Sequence, residues 1–382
     1  MENKQIIYFD NAAKNVPYTE VVELFSNVAK ENIANPSSIH ILGARNAREI
    51  DLTKEKILSL LKLKNHQVLF VSSATEANNL AIKGYALKYK NRGNHLITSA
   101  YEHPSVLEAF KQLEDEFGFE VTYLNPNKDG VISKEMIASA IKKETILVSL
   151  MAVNNEIGAI NPIKEIANEL AKFPKIAFHV DAAQAVGKLE REIDYSDVDL
   201  LTISGHKMHG LVGTSVLIKK KNISLLPLFS GGGQEYNLRS GTNDLAGILA
   251  FSKALELSIK EEKKHYDEVV KLADSLLSFL KEKEDLFVLN TPSVINPYII
   301  NFSTINKKSS VVVEALSNAG IMVSSTSACH SSKEKGSYVV ASLGKEEKIS
   351  KNTIRVSFAY YNTLEEVEAF KENLLRIMGE IR

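Results

Sequence analysis

The chain has 382 residues, enough for one large domain and a smaller one, each with its own core. With 44% hydrophobic and 24% charged residues and no uninterrupted apolar stretch of bilayer length, its composition excludes a disordered chain and a membrane span. Lys plus Arg (46) nearly cancel Asp plus Glu (47), a formal charge of -1 that leaves no electrostatic footprint for nucleic acid.

In chain order, Met1-Glu2-Asn3-Lys4 leads into Ile6-Ile7-Tyr8-Phe9 without the apolar core of a signal peptide, so the cytoplasm is the expected compartment. A strand over 68–71 gives way at Ser72-Ser73-Ala74-Thr75-Glu76 to a helix running to about 89. The strand 95–99 is followed by Tyr101-Glu102-His103-Pro104 and a helix, and the strand 145–153 by Asn154-Asn155-Glu156 and a helix around 164–172. Two further apolar runs, 176–180 and 200–203, end in Asp181-Ala182-Ala183-Gln184 and Ser204-Gly205-His206-Lys207. Such alternation predicts an α/β chain with a mostly parallel sheet. The pattern is helical over 245–284. A small α+β block follows: strand 298–302, helix 310–318, strand 321–324, a loop, strand 353–358 and helix 363–377. Thr363 and Glu366 have capping-box spacing for that last helix. The expected division is a large domain over 14–255 and a small one built from 1–13 and 256–382.

In open α/β sheets ligands gather beyond the carboxyl ends of the strands, so Asp181 and Lys207 are expected to face one crevice. A carboxylate and an amine there suit pyridoxal phosphate: the lysine forms a Schiff base, and the carboxylate keeps the pyridine nitrogen protonated so that the ring accepts electrons. Taken singly, each also reads as an ordinary solvated lysine or turn carboxylate. Thr75 lies where a strand becomes a helix, and its hydroxyl with the free first-turn amides suits a phosphate, alongside a plain capping role. Ser204 and His206 would reach the same phosphate from the Lys207 loop. Gln184 would donate to the ring's phenolic oxygen or be a helix-surface glutamine. Arg355, charged amid apolar neighbours, suits bidentate capture of an amino-acid carboxylate, with Asn155 assisting, or an interdomain salt bridge.

Two other chemistries are conceivable. His179, Asp181, His206 and His209 could form a metallohydrolase site, though Asp181 cannot serve both a metal and a pyridinium. Gly205 to Gly210 has Walker-like glycine spacing, but Leu211-Val212 stands where Lys-Ser/Thr is required. The single cysteine, Cys329, rules out an intramolecular disulfide and argues against a thiolate zinc site within one subunit. A lone cysteine is usually a small buried hydrophobe, but this one sits in the polar run Ser324-Ser325-Thr326-Ser327-Ala328-Cys329-His330-Ser331-Ser332-Lys333, where His330 and Lys333 favour a thiolate.

Ten segments in order carry a family resemblance. They are Tyr8-Phe9-Asp10-Asn11-Ala12-Ala13, Asn35-Pro36-Ser37-Ser38-Ile39-His40, Ser73-Ala74-Thr75-Glu76-Ala77-Asn78-Asn79-Leu80-Ala81, Glu102-His103-Pro104 and Val153-Asn154-Asn155-Glu156-Ile157-Gly158, then Asp181-Ala182-Ala183-Gln184, Ser204-Gly205-His206-Lys207, Gly231-Gly232-Gly233-Gln234-Glu235, Arg239-Ser240-Gly241-Thr242 and Ser327-Ala328-Cys329. Across nearly its full length the chain resembles the cysteine desulfurases of the class V pyridoxal phosphate fold. The resemblance implies fold type I, a large domain with a mostly parallel sheet plus a smaller α+β domain. It implies Thr75, Glu76, His103, Asn155, Asp181, Gln184, Ser204, His206 and Lys207 as cofactor residues, with His103 stacking on the ring and relaying protons. It also implies a homodimer in which Thr242 reaches the neighbouring subunit's phosphate. Arg355 and Asn155 would take the carboxylate of L-cysteine. Lys207, His103 and Cys329 would be catalytic, Cys329 accepting sulfur and passing it to an iron-sulfur scaffold or a tRNA-thiolating enzyme. Lys14 and Asn15, the run Met208-His209-Gly210-Leu211-Val212-Gly213, and His330 depart from the family pattern. A selenocysteine lyase or another class V aminotransferase therefore stays open.

Overall fold

A computed structural model describes residues 6–189, 193–325 and 336–380. Its main sheet has seven strands in the spatial order His66–Val71, Ser215–Lys220, Leu200–Ser204, Ala177–Asp181, Thr145–Met151, His95–Ser99, Glu120–Leu124. All run parallel except Ser215–Lys220, which is antiparallel to both of its neighbours. Such a sheet is covered on both faces, and successive side chains of a strand serve opposite sides. Val148 and Leu150 join one core with Val180, Ile203 and Phe251, whereas Leu147 joins the other with Leu80, Phe110 and Leu200.

The strand Ser215–Lys220 and the edge strand Glu120–Leu124 were not evident from the sequence. The first returns through Gly213, φ +101°, directly after the Lys207 loop. The second is only partly buried and lacks the apolar run that marks the central strands. Expected bounds shift elsewhere by a few residues. The strand Thr145–Met151 stops before Val153, which is drawn into an isolated bridge with Ile160.

A second core gathers Phe9, Leu272, Leu276, Ile300, Phe302, Val356 and Phe370. Its sheet is antiparallel, in the order Thr353–Ser357, Ile299–Thr304, Phe287–Leu289, and a two-stranded parallel pair joins Ile7–Tyr8 to Ile321–Met322. Phe9 packs edge-on against Phe358 at 5.2 Å, so the N-terminal segment is built into this core. The last helix, Leu364–Glu380, starts with the expected capping box: Glu366 N donates to Thr363 Oγ1 at 3.2 Å and Thr363 N to Glu366 Oε2 at 3.1 Å. The long helix Leu245–Glu282 belongs to both cores, through Phe251 and Leu255 to the first and through Val269 and Leu276 to the second. Among the described residues no helix is long and apolar enough to cross a membrane.

Candidate active site

The strands Thr145–Met151, Ala177–Asp181 and Leu200–Ser204 run in register, so their carboxyl ends deliver Met151, Asp181 and Ser204 to one edge of the sheet. There a cavity of about 290 Å³ is lined by Ala12, Ala13, Thr75, His103, Asn155, Asp181, Gln184, Ser204, His206, Lys207 and Arg355, among others. A larger open depression of about 590 Å³ lies elsewhere, around Asp129, Lys164 and Asp194. It gathers no comparable set of groups, and its Lys164 is already tied to Asp194 and Asp197.

Both oxygens of Asp181 accept hydrogen bonds, Oδ1 from Ala183 N at 3.0 Å and Oδ2 from Asn78 Nδ2 at 2.7 Å. Asn78 also donates to Ser105 Oγ at 2.9 Å, and that hydroxyl lies 2.9 Å from His103 Nδ1. Because Ser105 N donates to the same ring nitrogen at 3.1 Å, Nδ1 is the acceptor and a neutral His103 carries its proton on Nε2. The carboxylate and the imidazole are thus held by one chain of side chains.

Lys207 closes a short turn, Gly205–Lys207, immediately beyond its strand. A side chain at Gly205 would meet Thr214 O at 2.7 Å, so the tightness of the turn needs glycine. Lys207 Nζ donates to the carbonyls of Ala12 and Ala13, each at 2.6 Å. Asn15 holds the same loop from outside, its Nδ2 donating to Lys207 O at 2.6 Å and its backbone N to His206 O at 3.1 Å. His209 Nδ1 donates in return to Val16 O at 2.8 Å. Two of the stretches that depart from the family pattern therefore meet across these bonds.

Thr75 and Ser204 with His206 also line the cavity. Thr75 is in the first turn of the helix Ala74–Lys88, which Ser73 caps by accepting from Glu76 N at 3.2 Å. First-turn amides have no intrahelical partners and favour an anion. Burial, reinforced by the charges of Lys207, Lys14 and Lys188, pushes the His206 imidazole down to about 4, so it is neutral at neutral pH. Its Nδ1 lies 3.1 Å from Ser204 Oγ.

Arg355 forms the opposite wall from the small domain's sheet. One of its nitrogens pairs with Asp10 Oδ1 at 2.8 Å, a salt bridge within the small domain rather than between domains, and another donates across to Asn155 O at 2.9 Å. Its Nε and the Oδ1 of Asn155 are buried without a partner among the described residues, although both residues line the cavity.

Not every expected residue is gathered here. Glu76 does not line the cavity: its carboxylate accepts from Ser72 N at 2.8 Å and pairs with Arg239 Nε at 2.9 Å. Thr242 is exposed and outside the cavity of its own chain. Cys329, His330 and Lys333 lie outside the described residues. The chain on either side of them is anchored beside the site. Ser324 pairs through its backbone with Arg355, Ser337 Oγ donates to Glu156 Oε2 at 2.5 Å, and Tyr338 OH donates to Glu102 O at 2.6 Å. The proposed metal cluster does not form. Both ring nitrogens of His179 are engaged, with Ser149 and Thr202, and no three His, Cys, Asp or Glu side chains among the described residues gather as ligands.

Asn78, Ser105, Asn15 and Lys188 were not singled out as site residues from the sequence. A signal existed for two of them. Asn78 is a polar residue between Ala77 and Leu80 on the buried face of a helix, and Lys188 is a charge inside Ala185-Val186-Gly187-Lys188-Leu189.

The chain's relatives share this arrangement's frame. Residues 7–370 match the family model for class-V aminotransferases. A "NifS/IcsS protein homolog" of Lactobacillus delbrueckii subsp. bulgaricus is 38% identical over 96% of this chain and 95% of its own, and a "Cysteine desulfurase IscS" of Dictyoglomus turgidum 37% identical over 99% and 96%. A solved "NIFS-LIKE PROTEIN" superposes with a TM-score of 0.90 at 31% identity, over 99% of this chain and all of the other. The chain belongs to the class-V aminotransferase family.

Proposed function

We propose that this protein is a pyridoxal phosphate-dependent cysteine desulfurase, which takes sulfur from L-cysteine and leaves L-alanine and a persulfide on Cys329. The observation that carries the reading is a single cavity with Lys207 and Asp181 on one wall and Arg355 and Asn155 on the other. The residues present fit the cofactor: a carboxylate for a pyridinium, an amine, a helix N-terminus for a phosphate, and two buried polar atoms without partners on the side where a substrate would lie. Asp181 would hold the ring nitrogen, Gln184 the phenolic oxygen, Thr75, Ser204 and His206 the phosphate, and His103 the ring face. When bound, pyridoxal phosphate supplies an electron sink beside the substrate's α-carbon.

The chain's own residues do the rest. Arg355 and Asn155 orient cysteine by its carboxylate, and the Lys207 amine accepts the α-proton. The Cys329 thiolate attacks the substrate sulfur. As the S–S bond forms, the C–S bond breaks with its electron pair left on the carbon side, which takes up a proton and becomes alanine. No external oxidant is needed.

The same reading extends to assembly. Thr242, exposed and remote from its own cavity, would complete the phosphate site of a second copy, and exposed Ile39, Ile41, Phe229 and Tyr236 suit a homodimer interface. The division at 14–255 against 1–13 with 256–382 is supported by the helix Leu245–Glu282, whose buried residues change core between Leu255 and Val269. A thiol that must stay reduced suits the cytoplasm, and the sulfur would pass to an iron-sulfur scaffold or a tRNA-thiolating enzyme.

Cys329→Ala tests the proposal. The variant should bind cysteine and retain the cofactor's colour but release almost no alanine, and the wild type given cysteine without reductant should gain one sulfur on the Cys329 peptide by mass spectrometry. Alanine released at the wild-type rate by the variant would favour a selenocysteine lyase or another class V reaction.

A further inference from the structure

Beyond Gln184 the chain bends at Gly187, φ +78°, where an added Cβ would lie 2.9 Å from Ser258 Cβ and 3.0 Å from Met208 Cβ. The bend carries Lys188 inward rather than to solvent, and the residue is only 4% exposed. Burying an ammonium is costly unless its hydrogens find acceptors or a ring face. Lys188 Nζ lies 5.5 Å from the centroid of the Tyr298 ring and donates to Gln184 Oε1 at 3.0 Å. Burial, with the charges of Lys207 and Arg355, brings its amine down to about 7. The reaction as written above gives this lysine no task.

The donor and acceptor inventory gives it one. An ammonium only donates, and the carbonyl of Ala12 only accepts. Gln184 lies between them, with Oε1 toward Lys188 and Nε2 donating to Ala12 O at 2.9 Å. Rotating the amide by half a turn would set N–H against N–H on one side and oxygen against oxygen on the other. Only one orientation satisfies both neighbours. One hydrogen of Gln184 Nε2 is spent on Ala12 O, and the second is left for a ligand in the cavity that Gln184 lines.

We propose that Lys188 is a positioning residue that locks the Gln184 carboxamide so that a donor, not an acceptor, faces the phenolic oxygen of the cofactor beside Lys207. The proposal rests on the cofactor reading given above. The quantity it controls is the pH at which the visible absorption band of the cofactor-loaded protein changes form, because a donor on the phenolic oxygen stabilises its anionic state.

The experiment is a double-mutant cycle on that pH midpoint in the full-length, cofactor-loaded protein. Lys188→Met should raise the midpoint by about one pH unit, since the amide is then free to turn. Gln184→Leu should raise it comparably, and adding Lys188→Met to Gln184→Leu should change nothing further. Lys188→Gln separates the donor from the charge, because it can still donate to Oε1 but is neutral. It should return the midpoint to near the wild-type value, and it serves in place of Lys188→Met should that variant not fold. If Lys188→Gln shifts the midpoint as Lys188→Met does, or if the Lys188→Met shift persists undiminished in Gln184→Leu, the lysine acts through its charge and the lock is wrong. An unchanged midpoint in Gln184→Leu overturns it equally. A wild type that takes up added pyridoxal phosphate without a visible band would instead overturn the cofactor reading itself.

Discussion

The two walls of the cavity are finished to different degrees. On the wall built by the large sheet, Asp181 has a donor on each oxygen, Gln184 is satisfied at both ends of its amide, and Lys207 is held by two carbonyls. On the other wall, where Arg355 of the small domain meets Asn155 of the large one, Arg355 is tied to Asp10 and to the Asn155 carbonyl, yet its Nε and the Asn155 Oδ1 find no partner among the described residues. Leaving a buried polar atom unpaired costs about 1 to 3 kcal/mol, so such atoms beside a cavity point to a ligand that completes them. One wall is preorganised for a resident group, and the other is left open for a group that comes and goes.

The largest test of this contrast removes the reactive centre of the finished wall. Lys207→Ala should lower alanine formation from cysteine by about 10³-fold or more, since it removes both the covalent anchor and the proton acceptor. Borohydride should then fail to fix the cofactor to the chain. A rate within tenfold of wild type would place the chemistry elsewhere. The open wall is tested by Arg355→Ala, which should weaken cysteine binding by about 2 to 5 kcal/mol while leaving the cofactor's absorption nearly unchanged. Arg355→Lys keeps a charge opposite Asp10 and guards against misfolding, and it should recover only part of the loss because it lacks the planar fork. Unchanged cysteine affinity in either folded variant would make Arg355 purely structural.

The finished wall was the more legible one in the sequence. Asp181 and Lys207 stand at the ends of apolar runs, and strand ends in an α/β alternation are where sites form, so their convergence follows from pattern alone. The expected strand 95–99, the helical run after 245 and the Thr363–Glu366 capping box follow in the same way from periodicity and local chemistry. What could not be read is pairing between distant segments. Asp10 reaching Arg355, Asn15 reaching the Lys207 carbonyl and Asn78 reaching Asp181 join residues 345, 192 and 103 positions apart, and no local rule links them. The Glu76 side chain turns away for a local reason. It shares a motif with Thr75, but one residue along a helix turns the side chain about 100° away, here toward Ser72 and Arg239.

Glu102 extends the contrast to a buried carboxyl that lines no part of this cavity. It is fully buried beside His103, its Oε1 accepts from Ser99 Oγ, and the Met151 backbone also serves its carboxyl. Burial, opposed by hydrogen bonds from Ser99 and the Met151 backbone and helped by the charge of Asp181, pushes its carboxyl up to about 8. The folded protein therefore keeps this proton over a pH range in which the unfolded chain has lost it, so stability falls as pH rises toward 8. The slope is about 1.4 kcal/mol per pH unit for one such group. Glu102→Gln should remove it, and between about pH 6 and pH 7 the variant should gain on the wild type by that amount in denaturant midpoints converted to free energy. A stability difference that does not change between about pH 6 and pH 7 would show that Glu102 is ionised in the fold.

The smallest expected effect asks whether the open wall is open because of Asp10. This carboxylate holds one edge of the Arg355 guanidinium, and an incoming substrate carboxylate must share the cation with it. Two anions on one cation repel, but the Asp10 side chain is about a quarter exposed, which screens the effect to about 1 kcal/mol. Asp10→Asn keeps an acceptor for the guanidinium and removes the charge. Cysteine should then bind about fivefold more tightly, with cofactor affinity unchanged because the other wall is untouched. Weaker cysteine binding would mean that Asp10 acts by aiming Arg355. In that case the unpaired Nε is productive only while Asp10 holds a terminal nitrogen of the same guanidinium, and the salt bridge and the substrate site are one device.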